Sequence, residues 1–267
     1  MGYEVDFLKV GEESSSGDAI PLRYGDLYGD RSSQSVVVVD GGFKETGPDV
    51  VSFIRKYYGT SIVDLAICTH PDRDHAGGLS VILEELDVQR LWMHQPCEHA
   101  TEVCELLNDG RSTPESVRRR LREEFPYAVE LEEIAERKRI PIDEPFQSFQ
   151  TGDGVLTVLG PTRAYYVALL AEALGGPSAE PEARVGLLAQ ILEAARRVVR
   201  RVREAWDDER LEEPAPTDVT PINRSCAIVW FHYDDHTVQF TADAAVPSLE
   251  RAADYADQVG IDLRSAA

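Results

Sequence analysis

Apolar and polar positions along this chain change period repeatedly, and the changes mark out its elements. Tyr3 to Val10 alternates with period two, as a half-buried strand does. Gly11 to Asp18 is a Ser-rich polar loop, and Ala19 to Tyr24 reads as a second strand that Pro21 pushes towards a sheet edge. After a Gly- and Asp-rich turn, Ser35 to Gly42 is a β-branched run, a buried strand ending in Asp40-Gly41-Gly42. Pro48 to Tyr58 carries Val51, Ile54 and Tyr58 on one face, with the proline suited to a first helical turn. Residues 62–68 form an apolar strand, 78–86 are apolar at helical spacing, and Val88 to His94 is the next strand.

Beyond this point charge changes the picture. A helix is predicted over 98–107, and Thr113, Pro114 and Ser116 mark the start of another with Val117, Leu121 and Phe125 on its face. A largely acidic helix follows from Val129 to Lys138, and Val155 to Pro161 is a strand closed by Gly-Pro. Ala164 to Leu174 reads as an apolar helix and Glu182 to Trp206 as a long amphipathic one. On the latter, Arg196, Arg197, Arg200, Arg201 and Arg203 lie opposite an aliphatic stripe. That basic stripe suits either acidic segments of the same chain or a nucleic acid. Asp207 to Asp218 is a Pro- and acid-rich linker. Asn223 to Phe231 and Thr237 to Ala244 read as two strands joined by a turn at 234–236, and Ser248 to Val259 as a helix. Ile261-Asp262-Leu263 begins a further alternating pattern. The arrangement is an α/β chain read as a single domain over 1–267, with helical insertions at about 98–140 and 164–218.

With 267 residues and 43% hydrophobic content, the chain is long enough for a large core without disulfides. Its four cysteines have no metal-ligand spacing, and no apolar run approaches the ~18 residues that cross a bilayer. These features fit a cytoplasmic protein with reduced thiols and no membrane contact. The net charge of −21 excludes nucleic-acid binding through the surface as a whole. A phosphodiester, nucleic acid included, remains possible as a substrate where metal ions or local basic clusters supply the positive charge.

The densest chemistry lies between the strand 62–68 and the helix after it. His70, Asp72, Asp74 and His75 fall within six residues on a strand-to-helix loop, where open α/β sheets place their sites. Imidazole and carboxylate together suit zinc, manganese or iron, and four such groups so close suggest two adjacent ions. The alternative reading is a surface loop whose polar residues cap the helix. His94 could be a ligand at its strand end. His99 reads as a capping or solvated residue, and His232 and His236 as surface residues.

This loop resembles the His-x-His-x-Asp-His signature of the metallo-β-lactamase superfamily, with Asp72 in place of the second histidine. Its His-Pro-Asp-x-Asp-His-x-Gly-Gly form is most similar to the hydrolase domain of bacterial DNA-uptake (competence) channels and its free-standing relatives. The resemblance implies an αββα sandwich of two mixed sheets. It implies that His70 and Asp72 hold a first metal, and that Asp74 and His75 hold a second. Asp243, at the end of a Thr-Ala-Asp-Ala stretch where relatives carry Thr-Gly-Asp-Ala, takes the place of the bridging aspartate. The DNA-uptake type also shares Asn223 and Ser225, which the resemblance makes candidates for shaping the site. Asp74 is a candidate for orienting the nucleophile. The implied cofactor is zinc or manganese, up to two ions, and the implied activity is hydrolysis of a phosphodiester or similar ester. Lactamases, glyoxalases and thioesterases use the same chemistry.

Two family features are absent from the sequence. Leu159-Gly160-Pro161-Thr162 stands where many members carry a metal-binding histidine, although relatives of the DNA-uptake type lack it too. A final His-His-Gly-Ser segment does not follow the helix 248–259. The expectation is therefore an incomplete C-terminal edge, filled by a protein partner, a second copy of the chain or further downstream sequence. The competing expectation is a catalytically impaired binding or regulatory subunit that needs such a partner.

Overall fold

In the computed structural model, which describes residues 1–11, 17–180 and 219–263, the valine run forms β3 (Gln34–Val39). Val36 and Val38 point into one buried cluster, and Val37 and Val39 into another. A strand whose two faces are both covered needs no polar alternation, which explains four consecutive valines. Strands β1 (Gly2–Val5), β2 (Ile20–Gly25) and β3 are antiparallel neighbours in a six-stranded sheet. It continues from β3 through the parallel strands β5 (Leu65–Ile67), β7 (Leu91–Trp92) and β8 (Ile142–Asp143). A two-residue parallel ribbon, β4 (Ile62–Val63) with β6 (Asp87–Val88), lies beside it.

The single strand expected over 62–68 is interrupted at Asp64. Its Oδ2 accepts the Val36 N–H at 2.7 Å and an Arg31 N–H at 2.6 Å, so the chain kinks there. The strand expected over 88–94 is likewise divided at Gln89-Arg90. The first strand is shorter than its 3–10 pattern, although the Asp6 and Leu8 N–H groups still bond the Pro21 and Ala19 carbonyls at 3.0 Å.

Helices cover one face of this sheet. They are α1 (Gly47–Phe53, continuing as a π turn to Tyr58), α2 (Arg73–Glu85), α3 (Ala100–Leu107), α4 (Pro114–Glu124), α5 (Pro126–Lys138) and α6 (Arg163–Ala173). Val50, Leu79, Val103, Leu121, Leu131 and Leu170 meet there in one cluster. The helices of 114–138, read as part of an insertion over about 98–140, thus share the main core. Val117, Leu121, Ala128 and Leu131, at helical spacing, outweigh the charged face. The Thr113–Ser116 capping box forms as read, with the Ser116 N–H donating to Thr113 Oγ1 at 3.2 Å.

A three-stranded antiparallel sheet, β9 (Leu156–Gly160), β10 (Ile228–Tyr233) and β11 (His236–Phe240), covers the other face. Trp92, Leu156, Val229 and Phe231 fill the space between the sheets. Truncating Phe231, fully buried there, should cost about 3–5 kcal/mol. A short helix α7 (Pro221–Arg224) precedes β10, and α8 (Val246–Val259) lies outside β9, its Ala252 and Ala256 packed with Leu159 and Ile228. The layers are α-β-β-α.

Two expectations change at this end. The strand read from Asn223 starts only at Ile228, because Thr220 caps residues 221–224 into α7 by accepting the Asn223 N–H at 3.1 Å. Residues 261–263 form no strand; the Ile261 N–H closes α8 on the Ala256 carbonyl, and Ile261 and Leu263 pack on the α8 cluster. The outer edge of β9 is occupied by residues 147–151, which bond to it through the backbone. The helix read over 182–206 and the linker over 207–218 lie outside the described residues. No described helix is long and apolar enough to cross a membrane.

Candidate metal centre

The buried valine run of β3 ends in a carboxylate. Asp40 is fully buried with a left-handed φ of +56°, a backbone state that aspartate tolerates better than most residues. The chain can place it there because two glycine pairs touch backbone to backbone. A Cβ on Gly78 would sit 1.8 Å from the Gly41 carbonyl oxygen, and one on Gly41 only 2.4 Å from the Leu79 nitrogen. This close approach seats the first turn of α2 against the end of β3, so that the Gly41 N–H donates to the His75 carbonyl at 2.7 Å.

Asp40 then sets the orientation of both loop histidines. Its Oδ1 accepts the Thr69 N–H at 2.8 Å, and its Oδ2 accepts the Thr69 hydroxyl at 2.6 Å. Oδ2 also lies 2.9 Å from His75 Nδ1, which must carry the proton there. Because the Thr69 hydroxyl donates to Asp40, its oxygen is left to accept from His70 Nδ1 at 3.0 Å. In the neutral rings one carboxylate therefore selects the same tautomer, with each Nε2 turned outward as the donor atom.

Those two Nε2 atoms are buried, and neither has a hydrogen-bond partner among the described residues. Carboxylates face them instead. His70 Nε2 lies 3.7 Å from Asp72 Oδ2 and 3.9 Å from Asp243 Oδ2, and His75 Nε2 lies 3.5 Å from Asp243 Oδ1. These separations are long for hydrogen bonds. They are near the roughly 3.3–3.6 Å that separates two donors on one tetrahedral zinc with bonds of about 2.0–2.2 Å. Asp40, His70 and His75 also bring one potential ligand atom each within 4.8 Å of one another. Both Asp40 oxygens are already committed, so its part is to orient the rings. The donor set fits a divalent cation.

The electrostatics agree. Burial, and then the nearby charge of His75, hold the His70 pKa down at about 4. Burial works against charge on His75 as well, but the Asp243 and Asp40 carboxylates at its two ring nitrogens outweigh it and lift its pKa to about 11. Burial and then Asp74 raise Asp72, burial raises Asp18, and His75 lowers Asp243. Carboxylates crowded round the two rings attract positive charge, a proton on His75 or a cation that displaces it.

A family model of the metallo-β-lactamase superfamily matches residues 31–263. The chain belongs to this superfamily. Two solved structures of a Cronobacter sakazakii metallo-β-lactamase with a HARLDQ motif, one of them a motif mutant, are similar at 15% identity. The mutant covers 58% of this chain and 49% of its own (TM-score 0.33), and the other covers 57% and 48% (TM-score 0.31). A Thermotoga maritima protein assigned to the metallo-β-lactamases is similar at 8% identity, covering 58% of this chain and 64% of that one, with TM-score 0.33. The chain thus spans about half the length of the Cronobacter structures. No curated protein sequence matches it.

For this superfamily member, the residues singled out in the sequence divide into three groups. His70, Asp72, His75 and Asp243 converge. Asp74 raises the Asp72 and Asp18 carboxyls through its charge, and its backbone lies against Gly17. It and His75 stand in the first turn of α2, with Asp72 at the N-cap; the helix begins at Arg73, earlier than the glycines suggest, since those glycines serve close packing and not a turn. Asn223 reaches the site, with Nδ2 donating to Asp243 Oδ2 at 3.3 Å. Ser225 faces away, its hydroxyl donating to the Ile222 carbonyl at 2.7 Å. His94 and His99 are buried among aromatic rings. His99 is no solvated cap; its Nε2 lies 2.8 Å from Glu144 Oε1. Asp40, Thr69 and Asp18 are the residues sequence reasoning missed. Asp40 had a signal, a carboxylate ending a fully apolar run, whereas Asp18 in a Ser-rich loop had none. A cleft of about 280 Å³, lined by Phe7, Asp18, Ile20, Asp40, Thr69 and Phe240 among others, opens beside the cluster.

Proposed function

We propose that this protein is a metal-dependent hydrolase of phosphodiesters or similarly charged esters. His70, Asp72, Asp74, His75 and Asp243 would hold up to two zinc or manganese ions. The observation that carries the reading is the pair of buried, unpartnered Nε2 atoms on His70 and His75, facing Asp72 and Asp243 at 3.5–3.9 Å. When bound, a divalent ion supplies Lewis acidity and lowers the pKa of water to near neutrality. The chain's own residues do the rest. Asp40 and Thr69 fix the tautomers of both histidines, and Asn223 holds the Asp243 carboxylate in place. Asp74, on the first turn of α2, would orient a nucleophilic water and take its proton. The cleft beside Asp18 and Phe240 receives the substrate. A donor set with more carboxylates than imidazoles favours the harder ions that accompany phosphoryl chemistry. The Asn223–Asp243 contact supports the likeness to the DNA-uptake type of hydrolase.

The test is elemental analysis of the dialysed protein together with turnover of a chromogenic phosphodiester and a chromogenic carboxylic ester. The expected result is at least one equivalent of zinc or manganese and turnover of the phosphodiester. Under roughly a tenth of an equivalent of any transition metal would overturn the metal reading. Turnover of the carboxylic ester alone would overturn the substrate class.

A further inference from the structure

We propose that Arg224 is a positioning residue for the metal centre: clamped between Glu172 and Glu180, it fixes the turn that holds Asn223 against Asp243. The inference rests on the metal-binding reading above and goes beyond it to a residue that touches no donor atom. Arg224 is only 3% exposed. Its guanidinium lies 2.5 Å from Glu172 Oε1 and 3.3 Å from Glu180 Oε1. Its carbonyl accepts the Ser248 hydroxyl at 2.6 Å. Glu172 and Glu180 are themselves held: the Ala179 N–H donates to Glu172 at 2.8 Å, and the Tyr165 hydroxyl to Glu180 at 2.5 Å.

A buried guanidinium is tolerable only while paired, so this side chain is pinned in place and in orientation by two carboxylates. The backbone that carries it needs such a pin. Helix α7 is a single turn of four residues, too short to be stable by itself. Its Asn223 is the only α7 side chain that reaches the metal donors among the described residues. Thr220 fixes the amide, its hydroxyl donating to Asn223 Oδ1 at 2.7 Å, which turns Nδ2 towards Asp243. Asp243 is itself 43% exposed and follows Ala242, a non-glycine residue at φ +45°. Its carboxylate is therefore set by its neighbours more than by its own segment. Arg224 acts through Asn223 on the one donor contributed by the C-terminal half of the fold.

The experiment is a Co²⁺ titration of chelator-stripped protein, read by calorimetry and by the visible Co²⁺ bands, with melting curves in parallel. Arg224→Lys keeps the charge but loses the planar fork. It should weaken Co²⁺ binding about 10-fold or more, the range typical of residues that orient metal ligands. Its Co²⁺ bands should move towards those of Asp243→Ala. The double variant Arg224→Lys/Asn223→Ala should be no weaker than the worse single variant, because both act on the same carboxylate. If Arg224→Lys does not fold, Glu172→Gln, which leaves Glu180 in place, should show the same band shift. An Arg224→Lys protein with a lower melting temperature but wild-type Co²⁺ affinity and bands would overturn the clamp alone. A wild type that binds no Co²⁺ would overturn the metal reading and the clamp with it.

Discussion

His70 and His75 lie beyond the end of β5, and His94 and His99 beyond the end of β7, the next strand in the sheet. All four are buried. The first pair faces Asp40, Asp72 and Asp243; the second is boxed by Phe146 and Tyr166, with His94 stacked 4.3 Å from the Tyr166 ring. In the first pair, burial and then the charge of His75 hold His70 down at about 4, while Asp243 and Asp40 outweigh burial and lift His75 to about 11. Burial, helped slightly by His99, holds His94 down at about 3, with Glu144 too weak to offset it. Both His94 ring nitrogens lack a partner among the described residues, as do the outward nitrogens of the first pair. An unpartnered buried nitrogen is therefore not enough to make a ligand. What separates the pairs is whether carboxylate oxygens stand around that nitrogen at coordination spacing.

The largest effect should come from removing the first pair. His70→Ala/His75→Ala should lower metal content to background and hydrolysis with it, at least 100-fold, while His94→Leu should keep both within about 2-fold. Elemental analysis of the two proteins side by side checks this. Metal loss in His94→Leu at preserved fold would erase the distinction between the pairs.

A smaller effect is expected one step out from the donors. Asp40→Asn retains the size of the side chain, but the amide cannot accept from Thr69 N–H, Thr69 Oγ1 and His75 Nδ1 in the same way. The His75 tautomer is then no longer fixed, and metal affinity should fall about 10–100-fold. A competition titration against a chelator measures it. Unchanged affinity would mean that the rings are held by packing and not by Asp40.

Much of this division was legible in the sequence, and the reasons differ by residue. His70, Asp72 and His75 could be read as near neighbours on one strand-to-helix loop, because local sequence fixes local geometry at a strand end. The four valines gave a strand covered on both faces. Asp40 went unassigned because its role depends on Gly41-Gly42 meeting Gly77-Gly78, a contact between segments far apart in the chain. Asn223 was expected on a strand and stands on a helical turn, because Thr220 caps that turn while the apolar run begins only at Cys226. His99 read as a solvated cap, since nothing near it in sequence announces Glu144. Ala242 holds a left-handed φ of +45°, a state that glycine adopts freely, yet no property of an isolated alanine signals it.

The smallest effect sharpens the comparison from the side of the second pair, where a carboxylate is left without a histidine. Glu132, on α5, has a buried Oε1 with no hydrogen-bond partner among the described residues. Burial, and then the nearby Glu98 carboxylate, lift its pKa from 4.5 to about 7. A carboxyl raised in the folded state favours folding most when protonated. Its contribution is fully present below pH 4.5, the unfolded value, and is lost as pH rises through about 7. Glu132→Gln stays neutral throughout, so its advantage over the wild type should be near zero at pH 4.5 and reach its full size by pH 8. Since Glu132 is only partly buried, solvent screening reduces the effect to roughly 1 kcal/mol, or about 2–4 °C in melting temperature. Melting curves of both proteins at the two pH values read the difference directly. An advantage as large at pH 4.5 as at pH 8 would trace the gain to packing, and an advantage at neither would place Glu132 in contact with solvent. Asp243 escapes this penalty because the His75 ring beside it holds its carboxyl below the ordinary value, whereas Glu132 has no such cation against it.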